Sequence, residues 1–323
     1  MTKKILIAHD FNLKLKMYSL DKKLLAKNQY IKKKFYLKDC KILLDNEKNN
    51  VKVFWGNRLS EKQINEFKNL KFVQFGCKGV NDNIKDILKR KRIKFSVSKK
   101  IFVKPIVASI IGSIFSSSRG IGLSYYLRSK NKNDRTGIDK YSNYINNVFD
   151  EKFLLVGYGE INKKLYSILR NFSKNISVIN RSQIINKNIK SIQNLKKLST
   201  VVKNKKFIIN TLPLTNDTKN IFNELVFKKF SMNTVFINYG RGDTVNFRDL
   251  IKYHKLKKMI VCLDVFKKSQ YINSYQPFDK KFYFSKKFLN IITPHIGSYD
   301  NNYWEKQIKI FSQNLNKFVN IIY

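Results

Sequence analysis

The sequence is poor in cysteine, and its few cysteines are widely separated. Cys40, Cys77 and Cys262 are odd in number and form no Cys-x-x-Cys pair. This pattern argues against a disulfide framework and against a structural zinc site, and it fits a reducing compartment. We therefore expect a cytoplasmic protein without a bound metal.

The sequence also has no long apolar run. Near the N-terminus the apolar stretch covers only residues 5–8, too short for the hydrophobic part of a signal peptide. Residues 106–115 are too short to span a bilayer and are interrupted by Ser and Gly. With 43% hydrophobic residues among 323, the chain can still bury sizeable cores. We expect a soluble protein with two domains.

Acidic residues are scarce, since 22 Asp and Glu stand against 65 Lys and Arg, a net charge of +43. One interpretation is a polyanionic partner such as nucleic acid or an anionic membrane. The other is compositional drift, because the abundant Lys, Asn, Ile, Phe and Tyr all have A/T-rich codons. The basic residues are spread along the chain without an arginine-rich segment. We therefore favour drift, although such a field should still draw anions toward any cleft.

Strand-like and helix-like segments alternate along the chain, which predicts an α/β protein with parallel sheets. The clearest helices are residues 60–70, with Ser60 as N-cap, 104–119 and 302–321, while the polar segment 131–137 indicates a loop. The predicted strands cover residues 4–8, 51–55, 72–75, 93–97, 153–156, 177–179, 207–211, 234–238, 259–263 and 291–292.

A glycine turn follows the strand at residues 153–156. Gly157-Tyr158-Gly159 leads into a helix-forming stretch at residues 163–170. In a dinucleotide-binding turn the first glycine allows the bend and the second lets the backbone approach the pyrophosphate, which then meets free N–H groups at the helix N-terminus. Asn162 stands where a third glycine is expected, and Glu160 places a negative charge nearby. By itself the turn is also compatible with an ordinary strand-to-helix connection that binds no nucleotide.

The end of the next strand bears on the choice of cofactor. An NAD site needs a carboxylate there for the ribose hydroxyls, but this chain has Asn180 followed by Arg181. Without the carboxylate a 2′-phosphate is not repelled, and arginine can pair with it. The pattern favours NADP over NAD slightly, and a solvated arginine on a basic protein is the alternative.

Four further segments, each at a strand end, make a resemblance specific. In order they are residues 212–215 (Leu-Pro-Leu-Thr), 238–242 (Asn-Tyr-Gly-Arg-Gly), 263–266 (Leu-Asp-Val-Phe) and 293–297 (Thr-Pro-His-Ile-Gly). Together with the glycine turn they resemble the cofactor domain of the D-isomer-specific 2-hydroxyacid dehydrogenases. The likeness covers about residues 153–300, and residues 75–80 are faintly similar to the family's substrate-carboxylate loop.

The resemblance implies hydride transfer between a nicotinamide and a 2-keto or 2-hydroxy acid. Arg241 would hold the substrate carboxylate with its planar fork, and His295 would be the general acid and base. The backbone N–H groups of Lys78 and Gly79 would grip the same carboxylate. Of the other histidines, His9 follows a strand and lines or caps a cleft, and we expect His254 to be solvated.

The sequence departs from the family where a glutamate normally pairs with the catalytic histidine. A Gln-Pro dipeptide at residues 276–277 occupies the plausible position, so we interpret Gln276 as the replacement and residues 267–275 as containing a short insertion. Glutamine orients an imidazole but cannot hold it protonated. The remaining site residues that the resemblance implies would bind the cofactor: Gly157, Tyr158, Gly159, Glu160, Ile161, Asn180, Arg181, Leu212, Pro213, Thr218, Asp264 and Gly297.

The resulting prediction is two Rossmann-like domains with doubly wound parallel sheets and a cleft between them. Residues 1–101 with 298–323 would form the substrate domain, and 102–297 the nucleotide-binding domain. The leading hypothesis is an NAD(P)H-dependent reductase of a small 2-keto acid such as glyoxylate or hydroxypyruvate. A catalytically weakened or inactive nucleotide-binding scaffold is the alternative. By analogy with the family we expect a homodimer. From the short apolar runs and the scattered basic residues we expect neither a membrane nor a nucleic-acid partner.

Overall fold

The computed structural model describes residues 4–11, 21–77, 80–98, 100–129, 135–181, 189, 192–267, 271–273, 276–277 and 290–322. The chain forms two compact units, Met1–Phe102 with Tyr299–Tyr323, and Val103–Ser298. Each unit has a parallel sheet surrounded by helices, which confirms the predicted α/β class.

The first unit is built on a five-stranded sheet whose neighbouring strands are all parallel, in the order β2-β1-β3-β4-β5. The strands are β1 (Ile5–His9), β2 (Phe35–Asp39), β3 (Val51–Gly56), β4 (Phe72–Phe75) and β5 (Lys94–Val97). Its helices are α1 (Lys22–Ala26), α2 (Gln29–Lys34), α3 (Asp45–Lys48), α4 (Glu61–Glu66), α5 (Asp82–Arg90), α13 (Tyr303–Lys317) and α14 (Val319–Ile322). Trp304, Ile308 and Phe311 of α13 pack into the core beside β1 and β3.

The second unit is built on a seven-stranded parallel sheet. Its strands are β6 (Phe153–Val156), β7 (Ile176–Asn180), β8 (Ile192–Asn194), β9 (Phe207–Asn210), β10 (Val235–Asn238), β11 (Ile260–Leu263) and β14 (Ile291–Ile292). In space they run β8-β7-β6-β9-β10-β11-β14. The order therefore reverses between β6 and β9, and in open α/β sheets ligands bind outside the carboxyl ends of the strands at such a switch point.

Helices cover both faces of this second sheet, which separates two hydrophobic clusters. They are α6 (Val103–Ser118), α7 (Ile121–Arg128), α8 (Arg135–Asp139), α9 (Glu160–Leu169), α10 (Leu198–Val201), α11 (Glu224–Phe227) and α12 (Phe247–Leu256). Between β11 and β14 lies a short antiparallel pair: β12 (Tyr271–Asn273) falls within the segment expected to contain an insertion, and β13 (Gln276–Pro277) is the Gln-Pro dipeptide that follows it.

One helical segment of the described chain, Lys100–Ser118, is long and apolar enough to cross a membrane by length and composition alone. The core helix of a soluble protein passes the same test. Val107, Ile110 and Ile114 of this segment are buried in the core of the second unit against β6, β9 and β10. The segment is longer than the apolar run recognised in the sequence because a 3₁₀ turn, Lys100–Phe102, continues into α6.

The structure corrects two expectations. Residues 135–137 begin α8 rather than belonging to a loop, and the rest of the predicted loop, 131–134, lies outside the described residues. His254 is buried rather than solvated, and its Nε2 lies 3.1 Å from Oδ1 of Asn290. It lies on the inner face of α12 beside Leu250. The prediction was wrong because it relied on the neighbouring lysines in the sequence and not on the helix face.

Candidate active site

The glycine turn joins β6 to α9 at the switch point. Gly157 has a φ of +86°, a conformation that L side chains rarely adopt, so glycine is needed there. A Cβ at Gly159 would meet no atom of the described residues within 4 Å. No side chain caps the N-terminus of α9. The turn thus offers open space beside free helical N–H groups, as an incoming pyrophosphate requires.

Asn162, in place of the third glycine, holds the turn in shape. It is fully buried, and its Nδ2 donates to the carbonyl oxygens of Val156 (3.2 Å) and Gly157 (2.7 Å). Its Oδ1 is buried without a hydrogen-bond partner. Glu160, by contrast, is exposed, and its carboxylate lies 3.6 Å from Nζ of Lys163. The substitution therefore serves the turn itself, and the charge of Glu160 is partly balanced.

The end of β7 contacts this turn directly. Oδ1 of Asn180 accepts a hydrogen bond from the backbone N–H of Tyr158 at 3.3 Å. Arg181 follows at the surface. Ile161 differs from its neighbours, because its side chain belongs to the hydrophobic core and only its backbone is placed to meet a ligand.

The loop after β9 is fixed by one buried hydroxyl. Oγ1 of Thr218 donates to the carbonyl of Pro213 (2.7 Å) and accepts from the N–H of Thr215 (2.8 Å). Leu212 is buried in the core, and its side chain would lie 3.1 Å from a Cβ at Gly157. Thr218 thus shapes the loop, and Leu212 packs it against the glycine turn.

Arg241 is an exposed side chain on a tightly held backbone. Its Nη1 donates to the carbonyl of Gly240 at 2.8 Å. A Cβ at Gly240 would lie 2.6 Å from the backbone oxygen of Leu212, and a Cβ at Gly242 would overlap the backbone of Phe266. The two glycines therefore let the arginine turn sit between the loops that follow β9 and β11.

His295 lies in a turn that Asp264 holds. The buried Asp264 accepts hydrogen bonds from Oγ1 of Thr293 (2.7 Å), from the N–H of Ile296 (2.8 Å) and from the N–H of Gly297 (3.0 Å). His295 itself adopts a φ of +59°, which is uncommon for a residue other than glycine. Gly297 is required because a Cβ there would lie 2.7 Å from Oδ2 of Asp264.

The charges of this site act on one another. Although His295 is exposed on one side, desolvation by the surrounding protein lowers its pKa; the negative charge of Asp264 raises it and the positive charge of Arg241 lowers it further. Burial raises the pKa of Asp264, and the bonds from Thr293, Ile296 and Gly297 oppose that rise. Arg241 and His295, distant in sequence, thus share one electrostatic environment.

For three expected site residues the structure gives no side-chain position. Lys78 and Gly79 lie outside the described residues. Gln276 belongs to β13, but its side chain also lies outside what the structure describes, so its pairing with His295 stays a prediction. The sequence reasoning in turn missed Asn210, Asn238 and Thr244, which form a buried hydrogen-bonded group behind Arg241. The sequence signals for them are that Asn210 and Asn238 each end a buried strand, and that Asn238 opens a segment of the resemblance.

A cavity of about 240 Å³ borders the histidine turn and is lined by Ser109, Gly112, Ser113, Ser116, Tyr239, Ile291, Thr293, Ile296 and Gly297. A larger one, about 750 Å³, lies in the first unit between β1, β2 and helices α1 and α2. Of its described lining residues, His9 was expected to line or cap a cleft, and none belongs to the predicted catalytic, substrate-binding or cofactor-binding set. Size alone therefore does not mark the reactive centre of this chain.

Comparison with known proteins agrees with this geometry. The family model for the NAD-binding domain of D-isomer specific 2-hydroxyacid dehydrogenases matches residues 111–297, more than half of the chain. No curated protein matches the sequence. Many solved structures share the fold, and three of them illustrate the range.

The NADPH-dependent glyoxylate/hydroxypyruvate reductase of Sinorhizobium meliloti, solved with NADP and malonate, has a TM-score of 0.76 at 14% identity, covering 98% of this chain and 94% of that one. The D-mandelate dehydrogenase of Rhodotorula graminis gives 0.78 at 13% identity, with coverages of 98% and 94%. A family protein from Aeromonas salmonicida gives 0.76 at 18% identity, with coverages of 98% and 96%.

The fold and the strand-end site together define a nicotinamide-dinucleotide-dependent oxidoreductase of the Rossmann type. More narrowly, the chain belongs to the D-isomer-specific 2-hydroxyacid dehydrogenase family. Family and fold support oxidoreduction of 2-hydroxy acids with NAD or NADP.

Proposed function

We propose that this chain reduces a small 2-keto acid, with glyoxylate and hydroxypyruvate as the first candidates, using Arg241 to bind the carboxylate and His295 to supply the proton. The observation that carries the proposal is that Arg241, Asp264 and His295 follow the carboxyl ends of three neighbouring parallel strands, β10, β11 and β14. Reduction of a keto acid needs both a cation for the carboxylate and a proton donor for the oxygen.

Each proposed residue has one task. The guanidinium of Arg241 binds the substrate carboxylate with two parallel N–H···O bonds and polarises the adjacent carbonyl. The bound dinucleotide supplies the hydride. His295 donates its proton to the carbonyl oxygen as that oxygen gains electrons, and the carboxylate of Asp264 stabilises the protonated ring. The amide groups of Lys78 and Gly79 would add backbone donors to the carboxylate.

For the cofactor we propose NADP. Asn180 places no carboxylate at the end of β7, and its Oδ1 is engaged by Tyr158. Arg181 lies exposed beside it and would pair with a 2′-phosphate. The other cofactor contacts that we propose come from the turn at residues 157–161 and the loop at 212–218, with Asp264 and Gly297 on the nicotinamide side.

We assign the substrate role to residues 1–101 with 298–323 and the nucleotide role to residues 102–297. The proposed setting is a cytoplasmic homodimer. Cys40, Cys77 and Cys262 are in no disulfide, which supports a reducing compartment.

The decisive experiment mixes purified protein with NADPH or NADH and a panel of 2-keto acids while absorbance of the reduced nicotinamide is followed. Consumption of NADPH with glyoxylate or hydroxypyruvate supports the proposal. Tight NADPH binding without turnover of any acid in the panel would instead indicate an inactive scaffold. This is the rival proposal because Gln276 is expected in place of the family's glutamate. Affinity for random nucleic acid that falls steeply with salt would indicate a polyanion binder.

A further inference from the structure

Behind the exposed Arg241 lies a chain of buried polar side chains. Asn210 ends β9, Asn238 ends β10, and Thr244 lies in the 3₁₀ turn Gly242–Thr244. All three are fully buried. Nδ2 of Asn210 donates to Oδ1 of Asn238 (3.0 Å) and to Oγ1 of Thr244 (2.8 Å). Oγ1 of Thr244 then donates to the backbone carbonyl of Arg241 at 2.6 Å.

The same side chains also hold the loops on either side. Oδ1 of Asn210 accepts the N–H of Leu212 at 3.1 Å, and Oδ1 of Asn238 accepts the N–H of Gly240 at 3.0 Å. Asn210 therefore uses both amide hydrogens and its oxygen. It connects the loop after β9 with the turn that carries Arg241 through a continuous path of hydrogen bonds.

Stability alone does not account for such a group. Apolar side chains of the same shape fill a core about as well, whereas buried polar groups must be fully paired to avoid a desolvation penalty. A fully paired network in a low-dielectric interior fixes geometry, since each bond is directional and strengthens its neighbour. Here the network converges on the backbone carbonyl of Arg241, which accepts from the hydroxyl of Thr244 (2.6 Å), the N–H of Thr244 (3.2 Å) and Nδ2 of Asn238 (3.5 Å). The side chain of Arg241 is exposed at the surface.

We propose that Thr244 is a positioning residue that sets the direction of the Arg241 guanidinium, and that Asn210 ties this setting to the loop after β9. The inference rests on the proposed role of Arg241 in binding the substrate carboxylate. Thr244 touches no reacting atom. Its hydroxyl restrains the backbone of Arg241 before the substrate arrives, so that less conformational entropy is lost when the substrate binds.

The test compares Thr244→Val, which removes the hydroxyl, with Thr244→Ser, which keeps it. Thr234→Val is the matched control. Thr234 is equally buried, and its Oγ1 donates to the backbone carbonyls of Ser231 and Lys205. It lies just before the first residue of β10, at the end of the strand away from Arg241. The measured quantities are the Kd of malonate in the presence of NADP⁺, obtained by calorimetry, the KM for the keto acid and the Kd of NADPH.

We expect Thr244→Val to raise the malonate Kd and the KM about fivefold or more, with the NADPH Kd unchanged. Thr244→Ser should stay within about twofold of the wild type, and Thr234→Val should lose stability without changing the malonate Kd. Asn210→Leu should raise the malonate and NADPH Kd values together. If Thr244→Val does not fold, Thr244→Ala replaces it.

Equal malonate Kd values for Thr244→Val and Thr234→Val would overturn the inference while leaving the proposed function intact. A Thr244→Ser variant as impaired as Thr244→Val would overturn it too, because the hydroxyl would then not be the cause. A wild-type protein that neither binds malonate nor turns over any keto acid would overturn the proposed function itself, and the positioning role would fall with it.

Discussion

At the residue scale, the proposed reaction requires His295 to carry a proton in surroundings that partly oppose its protonation. Burial and the charge of Arg241 lower its pKa, and only Asp264 among the named neighbours raises it. The acid form is present below the pKa and is lost as the pH rises through it. We therefore expect reduction to decline at a lower pH than an ordinary histidine, whose pKa is about 6.5, would give.

Asp264→Asn should shift this decline further toward acid. The variant keeps an oxygen for Thr293 and Ile296 but removes the negative charge that raises the pKa of His295. The check is the pH profile of kcat/KM for reduction, with Asp249→Asn on α12 as a charge-matched control. A profile that does not move, in a folded variant, would show that Asp264 acts only through the turn.

Gln276→Glu should have the opposite effect if Gln276 contacts His295. A carboxylate beside the imidazole stabilises its protonated form, so the pH at which reduction falls off should rise. The same pH profile of kcat/KM measures it. No change would mean that another residue occupies the position of the family glutamate.

Arg241→Ala should abolish turnover, lowering kcat/KM on the order of 10²–10³-fold, because the substrate loses its carboxylate anchor and its polarising charge. The NADPH Kd, followed by fluorescence, should change little. Arg248→Ala removes an equal charge from the exposed side of α12 and should leave kcat/KM nearly intact. Loss of NADPH binding in Arg241→Ala would assign that residue to the cofactor instead.

At the scale of elements, the β6–α9 turn contains two glycines with different duties. Gly157 is needed for its backbone conformation, whereas the φ of Gly159 is −81° and any residue can adopt it. A Cβ at Gly159 would occupy the space left open at the start of α9. Gly157 thus serves folding, and we expect Gly159 to serve the ligand.

Gly157→Ala should destabilise the protein by about 1–2 kcal/mol, because alanine in a left-handed conformation is strained. Gly159→Ala should leave the free energy of unfolding unchanged yet raise the NADPH Kd about tenfold or more, about 1.4 kcal/mol. Urea unfolding and fluorescence titration measure the two effects. Unaltered NADPH affinity in Gly159→Ala would place the pyrophosphate elsewhere.

Most elements of both sheets were foreseeable because apolar strands and the glycines after them are local features. β4, β6 and β14 have the predicted bounds, and Ser60 caps α4 as expected, accepting from the N–H of Gln63 at 3.2 Å. β2 and β8 were not predicted. Three of the five residues of β2 are only half-buried, and this edge strand has little of the hydrophobic run that marks the buried ones.

At the scale of the whole molecule, the chain carries a net charge of +43. We expect a field of this strength to speed the encounter with an anionic keto acid and with a phosphorylated cofactor. We expect kcat/KM to fall as ionic strength rises, because salt screens the field over about 10 Å at 0.1 M. Salt should slow the association of substrate with the protein and not the chemical step, so kcat at saturating substrate should stay nearly constant.

This expectation can be tested by steady-state kinetics over a series of potassium chloride concentrations. Sucrose at matched osmolality is the control. A kcat/KM that ignores salt would show that the surplus lysines lie where they do not act on the substrate. They would then be a trait of composition alone.

The sequence by itself determined the alternation of strands and helices, the family and the residue types that the chemistry uses. Those features are written in short stretches, where spacing, apolar runs and glycine turns act over a few residues. Tertiary structure alone decided that Asp264 grips the turn of His295, that Thr244 and the two asparagines stand behind Arg241, and that His254 is buried. Each of these depends on which strands become neighbours, and residues tens of positions apart meet only when the sheet has formed.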